Sequence, residues 1–131
     1  MKKLRSLKSE QGSGTVMATA LVIAALLIIS AVLAWVGATR AAMQAAGAAD
    51  LSALAAADTA RGLRPGDPCS VAALIAESNG AQLSACTVEA DGQSVRIATS
   101  VPVGVRAMGI ELYLAQAQAR AGAPPLGAPA P

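Results

Sequence analysis

Histidine and phenylalanine are absent from this 131-residue chain, which has one tryptophan (Trp35), one tyrosine (Tyr113) and two cysteines (Cys69 and Cys86). Without histidine it lacks the commonest general base and metal ligand. Two cysteines alone cannot close a structural zinc site. With so few aromatic rings there is no platform for stacking bases, and from Arg40 onward six arginines are set against seven acids. Neither the basic field nor the stacking surface of a nucleic-acid binder is present. The longest absence is of charge itself. Between Glu10 and Arg40 no charged residue occurs for 29 positions.

That gap holds the apolar run Val16 to Val36, which matches the roughly 20 residues a helix needs to cross a bilayer's hydrocarbon layer. Hydrocarbon cannot satisfy backbone amides, so the run is expected as helix. Lys2, Lys3, Arg5 and Lys8 precede it, and only Arg40 follows closely. This asymmetry predicts a plasma-membrane protein with a single pass, the N-terminus cytoplasmic and residues 39–131 extracytoplasmic. Three processing outcomes fit. The chain is retained whole as an anchor, cut after Val36-Gly37-Ala38 and released, or cut within Gln11-Gly12-Ser13-Gly14-Thr15. The last arrangement, a short basic leader ending in glycine before an apolar helix, resembles a type IV prepilin. Where that family has glutamate at the fifth mature position, this chain has Met17 (cut after Gly12) or Thr19 (cut after Gly14).

Beyond Arg40 the residues are nearly all strong helix formers, without proline until Pro65. One helix is therefore expected from about Ser13 to Arg61, capped by Gly62. Leu51, Leu54 and Ala55 form a weak stripe on its outer half, and Asp50, Leu54 and Asp58 share a face at four-residue spacing. An alanine-smooth surface of this kind suits close packing against a neighbouring backbone, or simply keeps the segment helical. The segment Met43-Gln44-Ala-Ala-Gly-Ala-Ala-Asp50-Leu51-Ser-Ala-Leu54-Ala-Ala-Ala57 resembles the signature that follows the membrane helix in TadE/TadG-like proteins. These belong to the tight-adherence (Flp) pilus assembly system and are regarded as minor pseudopilins. The order of basic stub, Gly-Ser-Gly-Thr, apolar helix and Ala-Asp-Leu motif is similar to their short actinobacterial members. The resemblance covers residues 10–61 well, with Gln44, Asp50, Leu51 and Leu54 as its motif positions. It implies pilin-like or secretion-platform membrane proteins as partners, together with the lipid bilayer.

Arg64-Pro65-Gly66-Asp67-Pro68 marks a domain boundary. A short helix should follow from Cys69 to Asn79, with Val71, Ala72, Leu74 and Ile75 on its apolar side. Gln82 to Ala90 reads as a strand in which Leu83, Ala85 and Thr87 alternate against Ser84, Cys86 and Val88. Asp91-Gly92 is a hairpin signal. In the returning strand Val95, Ile97, Thr99, Val101 and Val103 share one face, and Pro102 puts that strand's end at a sheet edge. Residues 111–120 alternate as a third strand, although alanine and glutamine also suit helix.

The expected fold is α+β and pilin-like: a long N-terminal helix, then a small helix and an antiparallel sheet of about three strands. Its divisions are a basic stub or leader (1–12), a transmembrane helix (13–38), its extracytoplasmic continuation (39–62), a small α+β domain (63–121) and a Pro-rich tail (122–131). Cys69 and Cys86 either pair, as an oxidising compartment would allow, or stay as buried thiols; a reactive role is the third alternative. No activated nucleophile, metal cluster or phosphate loop is legible, and Asp67, Glu77, Glu89, Asp91 and Glu111 read as solvated surface. The sequence argues against an enzyme, and points to no cofactor and no small-molecule substrate. Two functions are left: an assembly component that packs laterally through its helix, using small pairs such as Gly14 with Ala18, Ala20 with Ala24 and Ser30 with Ala34, or a membrane-tethered or released binding or sensing module.

Overall fold

The structure, a computed structural model, describes residues 13–105 and 110–122. The basic stub with Gly12, and the Pro-rich tail from residue 123, lie outside the described residues. The elements run α1 (Ser13–Ala60), α2 (Pro68–Ser78), β1 (Gln82–Val88), β2 (Val95–Val105) and β3 (Ile110–Ala121). This is the α+β arrangement expected. The chain forms two compact units, residues 1–36 and 37–131, and α1 contributes to both.

In the first unit α1 is long and apolar enough to cross a membrane. Leu21, Ile23, Leu26, Leu27, Ile28 and Leu33 are all exposed, an arrangement that lipid tolerates and water does not. The hydroxyls of Thr19 and Ser30 donate to the carbonyls of Thr15 and Leu26, each at 2.8 Å. Both are thus satisfied within the helix, as a hydrocarbon setting requires.

The second unit is a two-layer domain. Helices cover one face of a three-stranded antiparallel sheet in the order β1-β2-β3. β2 presents Val95, Ile97, Thr99 and Val101 to the helices, all buried, as the alternation required. Against them α1 sets Ala41, Ala45, Ala48, Ala49, Ser52, Ala53, Ala56 and Ala57. This spacing of three and four traces one side of a helix. Among the described residues, twelve of the fifteen buried apolar ones are alanine, so the helix backbone comes close to the sheet. Thr99 shows how close. Its hydroxyl donates at 2.7 Å to the main-chain carbonyl of Ala45 inside the core. The Ser52 hydroxyl is buried in this layer without a hydrogen-bond partner among the described residues.

Two expectations about faces need correction. In α2 the buried residues are Ala72 and Ala76, while Leu74 is 66% exposed. The narrow gap to α1 admits methyl groups, and the larger Leu74 is turned outward. In β1 the register shifts between Leu83 and Ala85, inserting one residue and reversing the alternation. Leu83 and Cys86 therefore face the core together, while Ala85 and Thr87 are exposed. Pro102 lies in the central strand, yet β1 pairs only as far as Ser100, so beyond that point β2 has β3 alone as neighbour. The proline sits at a local edge where its missing N–H costs no ladder bond. Residues 110–121 form a strand, since pairing along β2 outweighs the local helical preference of alanine and glutamine.

The helix ends follow local rules. Gly62 adopts φ 76° after α1, with Leu63 N–H bonded to the Asp58 carbonyl and Gly62 N–H to that of Thr59. This double closure needs a residue that accepts positive φ. Asp67 caps α2 by accepting from Ser70 N–H at 2.8 Å, with Pro68 in the first turn.

Cys69 at the start of α2 is bonded to Cys86 in β1. Each buried alanine methyl contributes less than the roughly 1.5–3 kcal/mol of a buried leucine or isoleucine. The covalent link therefore carries an unusual share of the stability. Closing a loop with sequence separation 17 corresponds to about 3 kcal/mol in the chain-entropy account. Reduction, or a Cys69→Ser, Cys86→Ser pair, should lower unfolding stability by about that amount in a denaturant titration of the detergent-solubilised chain. Ala45→Leu should cost about 1–3 kcal/mol by forcing the helix off the sheet, whereas Leu54→Ala should stay within about 0.5 kcal/mol. An Ala45→Leu variant as stable as the parent would refute the close-packed layer.

Candidate functional site

Past the span, α1 has two opposite faces. The inner one is the alanine face already described. The outer one carries Met43 (71% exposed), Leu51 (49%) and Leu54 (59%), with Asp50 exposed beside them. Hydrophobicity alone would put these large side chains inside. They are outside because the side of α1 that meets the sheet is taken up by alanine, against which β2 sets Val95, Ile97 and Val101. The stripe of Leu51 and Leu54 is therefore an outer stripe, and Ala55 belongs to the buried side. Asp50 makes no hydrogen bond or ion pair among the described residues.

The motif residues thus divide. Asp50, Leu51 and Leu54 point away from the domain, whereas Gln44 holds the domain together. Its side-chain amide donates to the carbonyls of Asn79 at 2.9 Å and Gly80 at 3.3 Å. These carbonyls lie at the C-terminal end of α2, where helical partners run out. Gly80 has φ 70°, a conformation that favours glycine, and a Cβ there would stand 2.5 Å from the Gln44 amide nitrogen and displace that side chain from its bonds. The partner of Gln44 could not be read from the sequence, because it lies 35 residues away across a chain reversal.

Of the N-terminal positions, Gly12 is outside the described residues, while Ser13, Gly14 and Thr15 form the first turn of α1. Their backbone is helical. Cys69 and Cys86 are joined, so neither is a free thiol.

A polar cluster joins the three strands at one end. Arg120 of β3 makes a two-bonded contact with Glu89 (Nε to Oε1 2.8 Å, Nη2 to Oε2 2.7 Å), and Arg96 of β2 adds a bond of 3.2 Å to Oε1. Hydrogen bonding from Arg120 holds the Glu89 carboxyl below its ordinary range. These side chains are solvent-facing, so the ion pairs orient the strand ends more than they stabilise them. Next to them Asp91 organises the β1–β2 turn. It accepts from the Ser94 hydroxyl at 2.6 Å and from the N–H groups of Gln93 (2.9 Å) and Ser94 (2.8 Å). The Ser94 hydroxyl, then the Gln93 and Ser94 amides, bring its pKa down to about 2. Among the described residues no group of three or more Cys, Asp or Glu could hold a metal ion.

No family model matches the chain, and no curated protein or solved structure matches it.

The Asp91 turn makes a pH-dependent contribution of defined sign. Its folded pKa lies below the ordinary 3.8, so its stabilisation is complete above that value and is lost as pH falls through about 2. Asp91→Asn should melt below the parent at pH 7, and the gap between them should close toward pH 2. A gap that does not change with pH would disprove this role.

Proposed function

We propose that this chain is a single-pass membrane component of a pilus-like or secretion assembly, of the TadE/TadG-like pseudopilin kind, and that it acts by lateral helix packing. The observation that carries this reading is the division of α1 past the span. One face is filled by the chain's own sheet through alanine, while Met43, Leu51 and Leu54 stay exposed on the opposite face. A helix held rigidly by its own domain on one side can offer the other side to a neighbour without further ordering. Small pairs within the span, such as Gly14 with Ala18, allow close approach between helices in lipid. The Cys69–Cys86 bond favours an oxidising setting for the outer domain, and the N-terminal lysines favour a cytoplasmic N-terminus. On this reading the chain has no enzymatic activity and its partners are pilin-like or platform membrane proteins.

Photo-crosslinkers placed along residues 14–58 in the native membrane should capture other single-pass or platform proteins. Capture should fall at least several-fold with Leu51→Asp plus Leu54→Asp. Crosslinks formed only through the sheet would instead identify a tethered sensor. The mature N-terminus separates the processing outcomes: Ser13 or Thr15 fits a pseudopilin, Met1 an uncut anchor, and Thr39 would remove the membrane helix and end this proposal.

A further inference from the structure

The sheet has one covered face and one open face. Arg96 and Pro102 of β2, with Leu114, Gln118 and Arg120 of β3, alternate with the core residues and so lie on the side away from both helices. Among the described residues no helix or strand covers that side. Its two ends differ. At one, Arg96 and Arg120 stand opposite each other in the register and share Glu89 as ion-pair partner. Asp91, the other acid nearby, is taken up by Ser94 and Gln93. Arg96 gives Glu89 a single bond, and its side chain is 61% exposed. At the other end Pro102 and Leu114 are paired and apolar, and Leu114 is about half exposed. The outer face of α1 has a matching order. Ala41, Ala45 and Ala48 pack with Val101 and Ala115, whereas Ala53, Ala56 and Ala57 pack with Val95 and Ile97. Pro102 and Leu114 are therefore level with Met43, and Arg96 and Arg120 are level with Leu54 and Asp58. Asp50 and Asp58 make no ion pair among the described residues. Arg40 and Arg61 lie beyond this stretch, one at each end.

We propose that the open face of the sheet receives the outer face of α1 from a second copy of this chain, set level with it. Leu114 and Pro102 then cover Met43, and Arg96 meets Asp58. Gln118, between the two levels, has a side-chain amide that donates to the Asp50 carboxylate. Opposite charge at one end and apolar contact at the other fix the register, since sliding α1 along the sheet would break both. The second copy is related to the first by a sideways shift, so α1 keeps its direction. Both candidate spans therefore run the same way, as the single-pass reading requires. The two surfaces lie on opposite sides of one domain, so the contact is heterologous, and a third copy adds as the second did. The inference rests on the outer face of α1 being a contact surface, as proposed above, and names its occupant.

The test places a photo-crosslinker at position 54 of the full chain, co-expressed with a differently tagged copy in the native membrane. The joined peptides are mapped by mass spectrometry. The expected product links position 54 of one copy to residues 96–98 or 118–120 of the other. Arg96→Glu alone and Asp58→Arg alone each set like charges against each other and should lower that product at least about fivefold. The two substitutions together in one chain reverse both partners and should restore it, which separates a lost contact from a lost fold. A double variant as poor as the single ones overturns the inference. Position 54 joined only to α1 of the second copy, or only to other proteins, also overturns it but leaves lateral helix packing standing. Absence of crosslinks from every position in 14–58 overturns both proposals.

Discussion

The distance between α1 and the sheet governs this domain. A helix whose packed face is alanine lets its backbone approach β2 until the Thr99 hydroxyl reaches the Ala45 carbonyl. Much of the remaining arrangement follows from that short spacing. The larger core side chains come from β2, while Leu51, Leu54 and Leu74 turn outward and the fully buried residues of α2 are Ala72 and Ala76. The bond from Thr99 also fixes the sliding position of the helix on the sheet, which featureless methyl groups could not do.

Close packing has an energetic consequence. A core of methyl groups gains dispersion contacts but removes little apolar area per residue from water. Three non-hydrophobic devices compensate: the Cys69–Cys86 link, the Gln44 clamp on the end of α2 and the Asp91 turn between β1 and β2. Each joins segments that alanine packing alone would hold weakly. Together they produce a rigid domain on a helix that continues into an apolar stretch fit to cross a membrane. Rigidity on one side of α1 and exposed leucines on the other are what make an assembly role physically reasonable.

Much of this was legible in residue order. The charge-free stretch announced a long apolar helix, Gly62 its end, the Arg64–Pro68 cluster the boundary before α2, and Asp91-Gly92 the reversal between β1 and β2. The alternation from Val95 to Val103 identified the buried face of β2. Each of these signals is local, acting within a few residues through backbone conformation or periodicity, so no knowledge of the fold is needed to read it. The candidate motif was only half readable. Leu51 and Leu54 could be placed on one side of the helix, but not whether that side was inner or outer, because alanines surround them in every direction.

By itself, then, the sequence determined the two helices, the first hairpin, the order of these elements and the membrane-compatible character of the first helix. It left residues 111–120 open between strand and helix until pairing with β2 decided it. Tertiary structure decided which face of an almost uniformly alanine helix is buried, where the β1 bulge reverses the pattern, and what Gln44 holds. The physical reason is that burial of α1 depends on which of its alanine faces meets distant segments of the sheet, a choice that hydrophobicity along the chain does not make. Thr99 is inside, bonded to the Ala45 carbonyl, and Leu54 is outside on the opposite side of the same helix, and only the docking of α1 on β2 explains both.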